Sequence, residues 1–297
     1  MFIKTILFIV AYLTFTNVVT FDPRKKNYCN IFCKTKKHTG CDCARRGGRT
    51  EVELDKIFKF RKVVLDEHNK LRNGIASGND SRTPSKASDM MAISYDLEME
   101  YMCRCYLRSR FNGYHDECRI TSNGRQAGQN LAGRKEKDYS FDVVRDSINE
   151  WFDEISYMEY EWFNKSHFPD EVHVSYFTAM AWSQVNILGC ARVYTPDPKK
   201  EGFINPDFVQ TLLCNYGITI LNEKFAEINL PGQPVFKAGI PCTECPYNLK
   251  CNSKYTALCG EIKPIPTDPA YEFSNSPTKT FGKRTIFVVT FAILRLF

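Results

Sequence analysis

The stretch Ser175-Tyr176-Phe177-Thr178-Ala179-Met180-Ala181-Trp182, with Cys214-Asn215-Tyr216-Gly217 beyond it, anchors the reading of this chain. After Trp182 the runs 186–194 and 208–216 are rich in β-branched, aromatic and leucine residues. A loop of Pro, Gly and charged residues separates them, so they predict two strands. Each carries one cysteine, Cys190 and Cys214. Neighbouring strands bring such positions within disulfide reach, which predicts a bond between them.

Upstream, Ile57, Phe60, Val64, Leu71 and Ile75 recur near a helical period and predict a helix over 55–77, ended by Gly78. Residues 79–89 form a polar loop. Ser94-Tyr95-Asp96-Leu97-Glu98 opens a second helix running to about Arg110. Its Cys103 and Cys105 lie about 200° apart around the axis, so one neighbour cannot take both. Residues 142–158 predict a third, amphipathic helix with Val143, Ile148, Trp151, Phe152 and Ile155 inward. An aromatic-rich segment, 157–168, follows.

Of the 297 residues, 43% are apolar, enough to bury a core. Residues 1–20, with Lys4 ahead of an apolar run, have the plan of a secretory signal peptide and fall short of the roughly 20 apolar residues that span a bilayer. At the other end, small Ser274-Asn275-Ser276, a polar spacer and an apolar 285–297 fit a GPI-attachment signal, with a plain hydrophobic terminus as the alternative because Arg295 interrupts the tail. Thirteen cysteines behind a signal peptide imply an oxidising compartment and a disulfide framework. Asn79 and Asn164 stand in glycosylation sequons. The net charge of +6 is modest, with basic residues gathered over 24–49, where a solvated face is the expected role.

Six segments in order resemble the CAP superfamily, the cysteine-rich secretory, antigen 5 and pathogenesis-related-1 proteins, with the arthropod venom allergen 5 type nearest. They are Asn27-Tyr28-Cys29 with His38-Thr39-Gly40-Cys41; His68-Asn69 with Arg72; Gly113-Tyr114-His115-Asp116-Glu117-Cys118-Arg119; Gly128-Gln129-Asn130-Leu131-Ala132; and the two stretches quoted first. The resemblance covers about 28–217. It implies an α/β fold, a three-layer α-β-α sandwich around an antiparallel sheet, with small disulfide-rich N- and C-terminal extensions. It also supports the pairing of Cys190 with Cys214.

The expected organisation is a signal peptide over 1–20, a cysteine-rich module over 21–50, the CAP domain over 51–230, a cysteine-rich extension over 231–260, an unstructured linker over 261–276 and the hydrophobic tail over 277–297. Cys29 is expected to pair with Cys41, and the tail cysteines Cys242, Cys245, Cys251 and Cys259 among themselves. The Cys242-Thr243-Glu244-Cys245 spacing also occurs in zinc ribbons and redox motifs, but in a secreted chain disulfides are expected. Cys33, Cys43, Cys103, Cys105 and Cys118 then remain, with one left over.

The family's cleft commonly offers two His and two acidic residues to zinc. Carried onto this chain, those positions are His115, Gln129, Glu154 and Tyr176, so the resemblance implies two of four ligands. Gln is a weak neutral ligand and Tyr must lose a proton of pKa about 10, so no metal or other cofactor is expected. His173, three residues before Tyr176, is expected to be an exposed loop residue. No Gly-x-Ser-x-Gly elbow or His-Glu-x-x-His helix appears. The expectation is a secreted or surface-tethered, non-enzymatic protein that binds an extracellular protein, glycan or lipid. No nucleic-acid partner is expected, and a membrane is met only through the C-terminal anchor. Sterols or fatty acids are the most concrete ligands, with Phe152, Tyr157, Tyr160, Trp162 and Phe163 as contacts. The alternative is a metal-dependent or serine-type hydrolase using His115 and Glu154, with Ser175 nearby.

Overall fold

The computed structural model describes residues 21–273 apart from 42, 44–48, 110, 123, 170, 201–207 and 220–226. The signal peptide and the hydrophobic tail lie outside the described residues. The strands are β1 (Phe32–Cys33), β2 (Lys36–Lys37), β3 (Thr50–Glu51), β4 (Ser94–Tyr95), β5 (Gly128–Arg134), β6 (Ile187–Tyr194) and β7 (Gln210–Gly217). The helices are α1 (Ile57–Ser77), α2 (Leu97–Ser109), α3 (Phe141–Asp153), α4 (Tyr160–Asn164) and α5 (Ser175–Ala181).

The two cysteine-bearing runs form the centre of the main sheet, whose order is β3-β6-β7-β5, with β4 beside β6. Side chains alternate across it. Leu188, Cys190, Leu212, Cys214 and Tyr216 join the cluster formed with α1, α3 and α5, while Ala191, Val193 and Leu213 join the one formed with α2. This period-2 division makes three layers. Gly189 lets α2 approach, because a Cβ there would meet the backbone of Glu100 and Asp96. At the end of α1, Gly78 adopts φ +76, and the amides of Gly78 and Asn79 return to Ile75 and Gly74 as helix-closing bonds.

Several details differ from the sequence expectations. Ser94 and Tyr95 do not open α2; they pair in parallel with Ile187 and Leu188, so the sheet is not wholly antiparallel. The helix begins only after Asp96, whose carboxylate accepts a hydrogen bond from the Met99 amide at 2.9 Å. Helix α3 stops at Asp153 and tightens into a 3-10 turn over Glu154–Tyr157. Its buried face carries Val144 rather than Val143, while Ile148, Trp151, Phe152 and Ile155 are buried as expected.

Six disulfides form: Cys29–Cys41, Cys33–Cys118, Cys43–Cys105, Cys190–Cys214, Cys242–Cys251 and Cys245–Cys259. Cys190 and Cys214 face each other directly in the ladder, with Cα atoms 4.1 Å apart. Cys103 is the free cysteine, buried against the Gly189 carbonyl on the α2 side, opposite to the Cys190–Cys214 bond.

The boundary expected near 230 is not a boundary in the packing. Val235, Phe236, Ala257 and Leu258 belong to the same buried cluster as α1 and α3, and the Cys259 amide bonds the Met90 carbonyl. Nor is 261–273 an unstructured linker. Arg61, fully buried and paired with Glu100, donates to the carbonyls of Pro266 and Asp268 at 2.7 Å, and Arg104 donates to that of Tyr271. Phe273 then stacks on Tyr101, with ring centroids 5.4 Å apart. Backbone carbonyls held by buried cations order a segment whose side-chain composition reads as a spacer.

Candidate functional site: a self-satisfied polar cleft

Helix α5 ends its N-terminus at Val174, which has no polar side chain to cap it. Glu154, on the turn after α3, supplies the cap. Its Oε2 accepts the amides of Tyr176 at 2.8 Å and Phe177 at 3.0 Å. Burial pushes the Glu154 carboxyl up to about 7, and the two amides pull it back.

That cap orients Tyr176 toward His115. The distance from the Tyr176 hydroxyl to His115 Nε2 is 3.2 Å, and from His115 Nδ1 to Gln129 Oε1 it is 2.8 Å. Because the Gln129 oxygen can only accept, Nδ1 carries the ring proton, and Nε2 accepts from the tyrosine. Gln129 Nε2 donates onward to Asp116 at 2.8 Å and Asn215 at 2.9 Å, and Asp116 is held by Arg119 at 3.0 Å. The chain of donors therefore runs from Tyr176 through His115 and Gln129 to an arginine-paired carboxylate, with no link missing. Burial, then the nearby Glu154, pushes the Tyr176 hydroxyl up to about 12.

The structure thus brings His115, Gln129 and Tyr176 into hydrogen-bond contact, with Glu154 bonded to the Tyr176 backbone. His115, Gln129 and Tyr176 line a cleft of about 310 Å³ together with Arg119, Ser175 and Asn229, and Glu154 lies behind Tyr176 outside that lining. Asp116 and Asn215 were missed as members of the network. The signal for Asn215 lay in the strand pairing, where it stands directly opposite Gln129. His173 is exposed just before α5. Among the described residues, no hydrogen bond joins the side chains of His115, Glu154 and Ser175 to one another.

This donor set does not fit zinc. Both His115 nitrogens are engaged, the Gln129 oxygen is neutral and occupied by His115, and the tyrosine is held protonated.

A sequence profile described as the cysteine-rich secretory protein family, CAP, matches residues 65–216. The chain belongs to the CAP family. A scoloptoxin SSD552 from Scolopendra dehaani is 30% identical over 221 residues, which is 74% of this chain and 89% of that protein. A cysteine-rich venom protein from Tityus serrulatus is 28% identical over 87% of this chain, and a venom allergen 5 from Vespa velutina is 27% identical over 64% of it and 93% of its own length. The chain spans 58% of the Tityus serrulatus protein and 52% of a venom allergen 5 from the same organism. In structure, Na-ASP-1 superposes with a TM-score of 0.51 at 21% identity, covering 68% of this chain and 47% of Na-ASP-1, which supports the shared fold.

The expected lipid-contact residues do not form one site in this CAP protein. Phe152 packs edge-on against Phe177, and Phe163 packs against Phe177 and Phe236, all in the core. Tyr157 and Tyr160 are 68% and 61% exposed, and half-buried Trp162 meets Phe168. The 3-10 turn at Glu154–Tyr157 interrupts the helix between the buried phenylalanines and the exposed tyrosines. Asn79 and Asn164 are both exposed.

Beneath the cleft, His68 of α1 is fully buried, with Nε2 2.9 Å from the Tyr216 hydroxyl and Nδ1 2.7 Å from the Val64 carbonyl. Burial lowers its pKa to about 4. The unfolded chain takes up this proton near pH 6.5 and the folded chain only near 4. The stability tied to neutral His68 is therefore present above pH 6.5 and lost as pH falls through 4, on the order of 3 kcal/mol in all. Glu154 acts in the opposite sense, favouring the fold at low pH and losing that contribution as pH rises through about 7. Urea midpoints of wild type and His68→Gln between pH 4 and 7 check this. The variant is expected to show a flatter decline toward acid, and parallel profiles would assign the acid sensitivity elsewhere.

Proposed function

We propose that this chain is a secreted, disulfide-stapled CAP protein that acts by binding an extracellular partner and not by catalysis. The observation that carries this reading is the closed hydrogen-bond chain of Tyr176, His115, Gln129 and Asp116. A general base needs a free lone pair beside a nucleophile or water. Here the available lone pair of His115 already holds the Tyr176 proton, and Glu154 Oε2 holds two amides. The similarity to venom allergen 5 proteins supports the same reading. The proposed address is extracellular, with the membrane met only through the C-terminal tail.

A protease and esterase screen of wild type against His115→Ala tests the proposal. The expected result is no turnover that the substitution abolishes; turnover lost in His115→Ala would establish the hydrolase instead. Within the binding reading, a sterol or fatty acid would have to use the exposed shelf of Tyr157 and Tyr160. Saturable uptake of labelled cholesterol or palmitate, lost on Tyr157→Ala/Tyr160→Ala, would support that ligand class. Absence of uptake would leave a protein or glycan.

A further inference from the structure

The fold treats the two sequons of the chain differently. At Asn164-Lys165-Ser166 the serine is 1% exposed, with its hydroxyl donating to the Leu230 carbonyl at 2.7 Å and its amide to that of Gln233 at 2.9 Å. That sequon is open to glycosyl transfer only before residues 230–233 fold onto it. Asn79-Asp80-Ser81 follows Gly78 at the end of α1, and both Asn79 and Ser81 are exposed. Neither side chain makes a hydrogen bond among the described residues. The backbone that carries them is fixed. The amides of Asn79 and Asp80 both reach the Gly74 carbonyl, at 2.9 and 3.3 Å, and Arg82 ties Asp80 at 2.8 Å to Asp153 of α3 at 2.9 Å.

Asn79 and Ser81 line a groove of about 560 Å³ between α1 and α3, separate from the cleft at His115. Leu71 of α1 and Phe152 of α3 give it an apolar part, and Lys70 and Asn73 a polar one. The Asn73 oxygen already accepts the Ala257 amide at 3.0 Å, which leaves its NH2 group to donate. Gly74 opens the wall, because a Cβ there would meet nothing within 4 Å.

We propose that Asn79 carries an N-linked oligosaccharide whose first sugars seat in this groove, bridging α1 and α3. The covalent bond selects the occupant, since a glycan on Asn79 starts at the rim. The walls suit it: a pyranose offers an apolar face to Leu71 and Phe152 and hydroxyls to Lys70 and Asn73. The volume lies within the range of small-molecule sites, roughly 300–1,000 Å³. The tether makes weak contacts count. Facing an effective concentration of about 1 mM, a seat with an intrinsic dissociation constant of about 0.1 mM is filled about ten to one. The proposal rests on the extracellular reading, because N-linked transfer requires the secretory route.

The test uses the full chain expressed in mammalian cells. Peptide mapping after PNGase F release in heavy-oxygen water, on protein from both medium and cells, is expected to label Asn79. Label at Asn164 alone would overturn the proposal and leave the extracellular reading standing, whereas no label at either site in a chain kept inside the cell would overturn both. PNGase F applied to the native protein then tests the seat. Gly74→Gln places a side chain in the groove without a clash and raises helix propensity. Its Asn79 glycan is expected to be released about tenfold faster than that of wild type, the seat being filled. Gly74→Ala, too short to fill the groove, is expected to keep the wild-type rate. Equal rates in wild type and Gly74→Gln, or the same acceleration in Gly74→Ala, would overturn the seated glycan.

Discussion

Replacing Arg72 by methionine is expected to cost about 3–5 kcal/mol, a large fraction of the stability of an ordinary domain. Arg72 is 1% exposed, in the C-terminal third of α1. Its guanidinium donates to the carbonyls of Met91, Met180, Trp182, Ser183 and Val185, at 2.5 to 3.2 Å. Those carbonyls belong to the segment before β4 and to the chain leaving α5, so one side chain fastens the stretch Ser175–Trp182 to the first helix. Methionine keeps much of the volume but leaves five buried acceptors without their donor, and the unmet desolvation exceeds the loss of packing. Lysine is expected to rescue only part, because a single ammonium has three donors and no planar fork to span five acceptors. Guanidinium denaturation with the disulfides intact checks the ranking. An Arg72→Met variant within 1 kcal/mol of wild type, at an extrapolation error on the order of 10%, would show that the carbonyls find other partners.

Opening the Cys33–Cys118 bond is expected to have the next largest effect. The two cysteines are 85 residues apart, but Cys43–Cys105 already shortens the loop that the bond closes to about 25 residues. Loop entropy for that length gives about 3.5 kcal/mol, against about 4.6 for the uninterrupted loop. The Cys33→Ala/Cys118→Ala variant is therefore expected to lose about 3.5 kcal/mol, and about 1 kcal/mol more when the same pair is removed from a background lacking Cys43–Cys105. A smaller loss in that background would contradict the coupling.

What the sequence made legible followed local rules. Cys190 and Cys214 sit on runs with strand composition and end opposite each other, and Gly78 stops α1 with the left-handed turn that glycine favours. What it hid lies in tertiary contacts to the backbone, which leave no trace in side-chain pattern. Pro264, Pro266 and Pro269 look like a spacer because the interactions that order the segment are carbonyls held by Arg61 and Arg104. Glu154 reads as a metal ligand by family position, whereas its carboxylate serves a helix whose cap residue, Val174, cannot serve itself. The partners of Cys33 and Cys43 were open because spacing alone fixes no connectivity.

We propose that the cleft of this chain holds a hydrogen-bond chain through Tyr176, His115 and Gln129 in place of a zinc site. Calorimetric titration of zinc chloride into the oxidised protein at pH 7 tests it most directly, with Gln129→Glu/Tyr176→His alongside. The account predicts no stoichiometric binding by wild type and one zinc per chain once the carboxylate and the imidazole are restored. One zinc per wild-type chain at micromolar affinity or tighter, abolished by His115→Ala, would contradict it.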